Sequence, residues 1–269
     1  MEKYALSTKK NLLATIASVL SIQTAPAYKK LYEDYSVKLK EAHGLIDKER
    51  GDTMTQTEKE KEGWVEWKDV LAKLEDLKDQ AKDARDDAKR PKAPSNAKSK
   101  ALLKAQDYLV LALYTYLPPR RNMDYQDMKV VLGGLTKDSP KNVNYLDMFK
   151  NQFVFNRYKT AGATGQQIVD IPEELMEVIK EYLRVHPKDI DDDGEFWFLI
   201  TATGRKIPAN GITRILNRIF KKKVGASMLR HIYLSHKYGS TVKDMKKDAA
   251  AMAHSEKVQK TYIRDTGKD

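Results

Sequence analysis

The longest apolar run of this chain, Tyr108–Leu117, ends at two consecutive prolines, Pro118-Pro119. Together with the residues before it, Leu102–Leu117 reads as an apolar helix. Proline lacks an N–H and clashes with the preceding turn, so the helix stops there. The run is far below the roughly 20 residues a bilayer-spanning helix needs. The N-terminal Met1–Ala5 lacks the basic-then-apolar pattern of a secretory signal. With 269 residues, 41% of them hydrophobic, the chain can fill one large core or two ordinary ones. It has no Cys, which excludes disulfides and thiolate metal sites. A membrane-free, intracellular globular protein is expected.

Upstream of that helix the pattern is helical. Ser7 or Thr8 can cap a helix whose Leu12, Leu13, Ile16, Val19 and Leu20 share a face. Pro26 suits a first helical turn, followed by Tyr28, Leu31, Tyr32, Tyr35 and Leu39 at helical spacing. Past a polar stretch, Lys48–Gly63, an apolar stripe of Trp64, Trp67, Leu71, Leu74 and Leu77 predicts a third helix, followed by the highly charged run Lys78–Arg90. Core packing is the preferred role of the two tryptophans, ahead of base stacking. The tract from Arg90 to Lys100 combines two prolines with small polar and basic residues and reads as a linker.

Beyond the double proline, Asn151–Pro172 alternates like a β-hairpin around Gly162–Gly165, with Lys159 near its tip. Glu173–Val185 predicts an amphipathic helix and Phe196–Thr201 a short strand. Helices follow at Ile212–Phe220, Met228–Tyr238 and Val242–Ala253, with a last short one carrying Tyr262.

The net charge is +11, and it is uneven: residues 1–99 carry twenty Lys/Arg against eighteen Asp/Glu, the remainder 29 against 20. A basic surface favours a polyanion, of which nucleic acid is the commonest. Metal-free cleavage of a phosphodiester needs a nucleophile, cations for the phosphate oxygens and a proton donor for the leaving alkoxide. Arginine suits the cationic role because its planar fork grips two oxygens and stays charged. Arg120-Arg121 after the prolines and Arg230 in Leu229-Arg230-His231 are candidates. Lys159 can donate a proton, and His254 can bond the phosphate or assist Tyr262.

Arg121 followed by Asp124 resembles the first box of the tyrosine recombinases (phage-type integrases), and Tyr158-Lys159-Thr160 resembles their catalytic-lysine turn. Ser-Met-Leu-Arg-His (227–231) resembles their His-x-Leu-Arg box, and Ala-His-Ser (253–255) with Tyr262 their Gly-His-Ser…Tyr box. The boxes occur in the family's order over residues 100–264, and the wording is most similar to integrases of large DNA viruses and virophages. Two departures stand out. Ser227 occupies a position where the family has His or Lys, and His254 and Tyr262 lie eight apart, one fewer than is commonest.

The resemblance implies a mainly α fold with a small antiparallel β-sheet in two domains. These are a helical core-binding domain over 1–90 and, after a linker at 91–100, an α+β catalytic domain over 101–269. It implies catalytic roles for Arg121, Lys159, Arg230, His254 and the nucleophile Tyr262, with Ser227 a provisional sixth. Choosing Arg121 over Arg120 rests on the resemblance; Arg120 stays open as a DNA contact or surface residue. No cofactor and no metal is implied. The partner implied is double-stranded DNA, bound by a homotetramer that is a monomer or weak oligomer without it. A type IB topoisomerase and a catalytically impaired DNA-binding protein are the rival functions. A two-metal nuclease would need a carboxylate cluster, and Asp191-Asp192-Asp193-Gly194 reads as a solvated turn instead.

Overall fold

The structure, a computed structural model, describes residues 4–50, 56–191 and 193–252. The chain forms two compact units, Met1–Lys61 and Glu62–Asp269. Among the described residues no helix is long and apolar enough to cross a membrane.

In the first unit, α1 (Leu6–Ser21) and α2 (Pro26–Arg50) pack together as a helical hairpin. Pro26 opens α2, where its missing N–H costs nothing. Burial is sparse. Leu13, Ala17, Ala42 and Ile46 are covered, whereas Leu12 and Val19 of the predicted apolar face are exposed. A short α3 (Glu58–Gly63) follows, begun by a capping box: the Glu60 N–H donates to Thr57 Oγ1 (3.2 Å) and the Thr57 N–H to Glu60 Oε2 (2.8 Å).

The second unit is built on α5 (Ala97–Thr115), whose Leu109 to Tyr114 are all essentially inaccessible. A helix apolar all round must be surrounded. Helices α4 (Trp67–Ala88), α8 (Glu173–Val185) and α9 (Gly211–Phe220) all pack against it. Here the structure corrects the expected linker. Residues 91–96 are a tight connection, with Ala93 N–H bonded to Arg90 O and Ala97 N–H to Pro94 O, and residues 97–100 already form the first turn of α5. The division into units therefore falls after Lys61, because α4 belongs to the α5 core. Trp64 and Trp67 pack on that core, Trp67 edge-on to Tyr233 and stacked with His236.

Five short strands form one sheet in the order β4-β3-β2-β1-β5: β1 (Met128–Val131), β2 (Asn144–Asp147), β3 (Gln152–Phe155), β4 (Gln167–Asp170) and β5 (Glu195–Trp197). β1 and β2 run parallel and the other pairs antiparallel. The sheet is mixed, so the expectation of an antiparallel one is corrected. The connection from β1 to β2, residues 132–143, crosses back so that both strands point the same way. Met128, Val130, Leu146, Phe153, Phe155 and Phe196 line one face and join the helical core. The hairpin expected over 151–172 is β3–β4, with a single helical turn, α7 (Ala161–Thr164), at its tip. α10 (Ala226–Ala251) runs unbroken through Gly239, where two helices were predicted. Gly weakens a helix interior by about 1 kcal/mol relative to Ala, too little to stop this one.

Candidate functional site

Proline ends α5 and leaves Arg120 and Arg121 extended before α6 (Asn122–Gln126), which starts with Arg121 as its N-cap residue. The two neighbouring arginines meet opposite surroundings. Arg120 Nε donates to Asp124 Oδ2 (2.8 Å) and its Nη1 to Gln167 Oε1 (3.0 Å). Its guanidinium lies 3.8 Å from the centre of the Phe155 ring and 5.5 Å from that of Tyr158. Burial pushes the Asp124 carboxyl up, and the Arg120 charge and hydrogen bond oppose this. Arg120 is thus engaged by a carboxylate, an amide and two rings. No side-chain hydrogen bond or ion pair ties half-buried Arg121 to another described residue.

A hydrogen-bonded bridge leads from Arg121 towards the second arginine. Tyr114 Oη, fully buried on α5, donates to Asn122 Oδ1 (3.1 Å), and Asn122 Nδ2 donates to Thr213 Oγ1 of α9 (2.8 Å). The Thr213 methyl faces Gly225, the residue that introduces α10. On α10, Arg230 sits within electrostatic reach of the Tyr114 hydroxyl, which burial holds well above its ordinary pKa. Among the described residues the buried Nε of Arg230 has no partner, and its Nη2 makes a long 3.4 Å contact with Ser227 Oγ. No carboxylate pairs with either Arg121 or Arg230 among the described residues. A partly buried guanidinium without a counter-ion is costly unless an anion completes it.

Lys159 is exposed at the tip of the β3–β4 hairpin. The tip is closed beneath it by buried Tyr158, whose Oη lies 2.5 Å from both Thr164 Oγ1 and the carbonyl of Gly165. Buried Asn144 on β2 fixes the hairpin to α6. Its Nδ2 donates to the carbonyls of Asp124 and Arg157, and its Oδ1 accepts from the N–H groups of Asn156 and Arg157. Sequence reasoning passed over Asn144, Gln167, Asn122 and Thr213. Their partners lie far along the chain, 47 positions for Arg120–Gln167 and 91 for Asn122–Thr213, and no local pattern marks them.

Arg121 therefore stands at the start of α6 and Ser227 and Arg230 near the start of α10, with the Tyr114–Asn122–Thr213 hydrogen bonds tying α5, α6 and α9 beside them and the lysine hairpin joined to α6 through Arg120. His254 and Tyr262 lie outside the described residues. Asp191 is a turn-former: its Oδ1 accepts from the N–H groups of Asp193 and Glu195, and its other oxygen pairs with Lys129. Among the described residues no group of three or more His, Asp or Glu is arranged to hold a metal ion. No family model, no curated protein and no solved structure matches the chain.

Proposed function

We propose that the protein is a site-specific DNA recombinase or integrase that breaks and rejoins strands through a 3′-phosphotyrosine. The observation that supports this most is the contrast between the arginines. Arg120 is held by Asp124, Gln167 and two rings, while neither Arg121 nor Arg230 forms an ion pair with a described residue. Two such forks suit the non-bridging oxygens of a phosphodiester, whose charge grows in the transition state.

In this reading Tyr262 attacks the scissile phosphorus. The Oη–P bond forms, the P–O5′ bond breaks, and Lys159 gives a proton to the leaving 5′ oxygen. His254 takes part through the phosphate or the phenol, and Ser227 holds Arg230. A 5′-hydroxyl of the partner duplex then reverses the step, so bond energy is conserved and neither ATP nor a metal is called upon. The bound form is a homotetramer on double-stranded DNA, a monomer or weak oligomer without it, acting inside the cell wherever the target genome lies. The +11 charge, concentrated after residue 99, supplies salt-sensitive phosphate contacts.

The test is covalent trapping on genomic fragments nicked at random, followed by sequencing of the DNA held on the protein. A protein–DNA adduct that forms in the presence of chelator and vanishes in Tyr262→Phe is the expected result. Plasmid relaxation without strand exchange between two recovered sites moves the function to a type IB topoisomerase. Salt-sensitive binding with no adduct on any fragment leaves a DNA-binding protein that has lost cleavage, Ser227 being the first departure to blame.

A further inference from the structure

We propose that Arg120 and Gln167 form a clamp that positions Lys159 for proton delivery, which makes Arg120 a positioning residue and not a DNA contact. The assignment rests on the recombinase reading above.

Arg120 is adjacent in sequence to the phosphate-holding Arg121, yet the contacts of its guanidinium tie α6 to the hairpin. Nε grips Asp124 on α6, Nη1 reaches Gln167 on β4, and the plane covers Phe155 at the end of β3 and Tyr158 in the tip. Gln167 pairs in register with Phe155, so the guanidinium spans the hairpin where its two strands enter the tip. From there Tyr158 carries the constraint outward. It is buried under Arg120, its hydroxyl closes the tip against Thr164 and Gly165, and the next residue is Lys159. Lys159 itself is exposed and hydrogen-bonded to no described residue, so its ammonium is placed only through this framework. A long flexible lysine delivers a proton efficiently only if its backbone is fixed to within a fraction of an ångström relative to the phosphate. Joining the hairpin directly to the segment that carries Arg121 does that.

A clamp of this kind makes a specific chemical prediction. A 5′-bridging sulfur leaves as a thiolate, whose conjugate acid is a far stronger acid than an alcohol, so P–S5′ cleavage needs no proton from Lys159. Arg120 is a poor place to cut the clamp, because its loss strands buried Asp124. Gln167→Leu removes the oxygen that accepts from Arg120 and leaves the Arg120–Asp124 pair in place, and Gln167→Glu keeps an acceptor.

The experiment compares single-turnover formation of the tyrosine adduct by the full chain. The substrates are duplexes carrying the trapped cleavage site with oxygen or sulfur at the bridging 5′ position. Gln167→Leu is expected to slow cleavage of the oxygen substrate about tenfold or more, and of the sulfur substrate by less than about threefold. Gln167→Glu should stay near the wild-type rate on both. Equal slowing on both substrates, or no slowing on either, overturns the clamp while the recombinase reading stands. Absence of an adduct from the wild-type chain on both substrates removes that reading and the clamp with it.

Discussion

The α1–α2 hairpin and the α5-centred unit come from similar helix-periodic sequence, yet they are held together very differently. Around α5, a contiguous run from Leu109 to Tyr114 is lost to solvent, enclosed by α4, α8 and α9. In the hairpin, Leu31 and Tyr32 of α2 and Leu12 and Val19 of α1 remain about half in water. Apolar residues at helical spacing announce a helix in both regions; only the number of neighbours decides whether that face becomes a core. The consequence for function is direct. The arginines, the bridge and the lysine hairpin all stand on the densely packed unit, where groups can be fixed within the tolerance that chemistry needs.

The sharpest test of that difference is a pair of equal truncations. Leu109→Ala empties part of a closed core and should cost about 3 kcal/mol or more. Leu31→Ala, on a side chain that is 43% exposed, should cost no more than about 0.5 kcal/mol. Urea unfolding followed by circular dichroism measures both. Similar losses at the two positions would mean that the hairpin is packed as tightly as the core.

A second contrast uses pH. His186, at the end of α8, is 7% exposed between the rings of Tyr182 and Phe196, and its Nδ1 accepts the N–H of Lys188 (2.9 Å). Burial lowers its pKa to about 4, with the Lys188 charge acting in the same direction and a backbone contact at Trp197 against it. The unfolded chain therefore takes up this proton near pH 6.5 and the folded chain only near 4. The stability linked to His186 is full above pH 6.5 and is lost as pH falls towards 4. The total is up to about 3 kcal/mol. The difference in unfolding free energy between wild type and His186→Gln should slope through that window and flatten on both sides. A difference that is constant with pH would rule out a buried neutral imidazole.

How much of this was legible in the sequence depends on how local the signal is. Glu173–Val185 was bounded correctly because its apolar stripe and flanking proline agree within one segment. The β3–β4 hairpin was visible through alternation around a glycine-containing turn. β1 and β2 were not, since four-residue strands, one of them buried at every position, leave no alternation to see. The Pro-Lys-Ser tract has a linker's composition and still folds as a tight turn, because what decides the matter is the packing of α4 on α5 across it. In the site, residue types and order pointed to Arg121, Arg230 and Lys159. The partners that give neighbouring residues different surroundings, Gln167 for Arg120 and Thr213 for Asn122, are set by tertiary structure alone.

The smallest expected effect, and the finest probe of the dense unit, is at the Tyr114–Asn122–Thr213 bridge. Thr213→Val is nearly isosteric and keeps the methyl that faces Gly225, but it removes the oxygen that accepts from Asn122 Nδ2. The stranded amide should cost about 1–2 kcal/mol of stability, because a half-buried donor loses its partner without regaining water. Thr213→Ser retains the oxygen and sacrifices the methyl. If the bridge sets the spacing of Arg121 and Arg230, affinity for inorganic phosphate, measured by calorimetry at low salt, should weaken a few-fold in Thr213→Val and hardly in Thr213→Ser. Arg121→Ala and Arg230→Ala mark the fully weakened limit. Were Ser to fall as far as Val, the methyl packing against Gly225 would be what holds α10, and the hydrogen bonds from Tyr114 through Asn122 would serve stability alone.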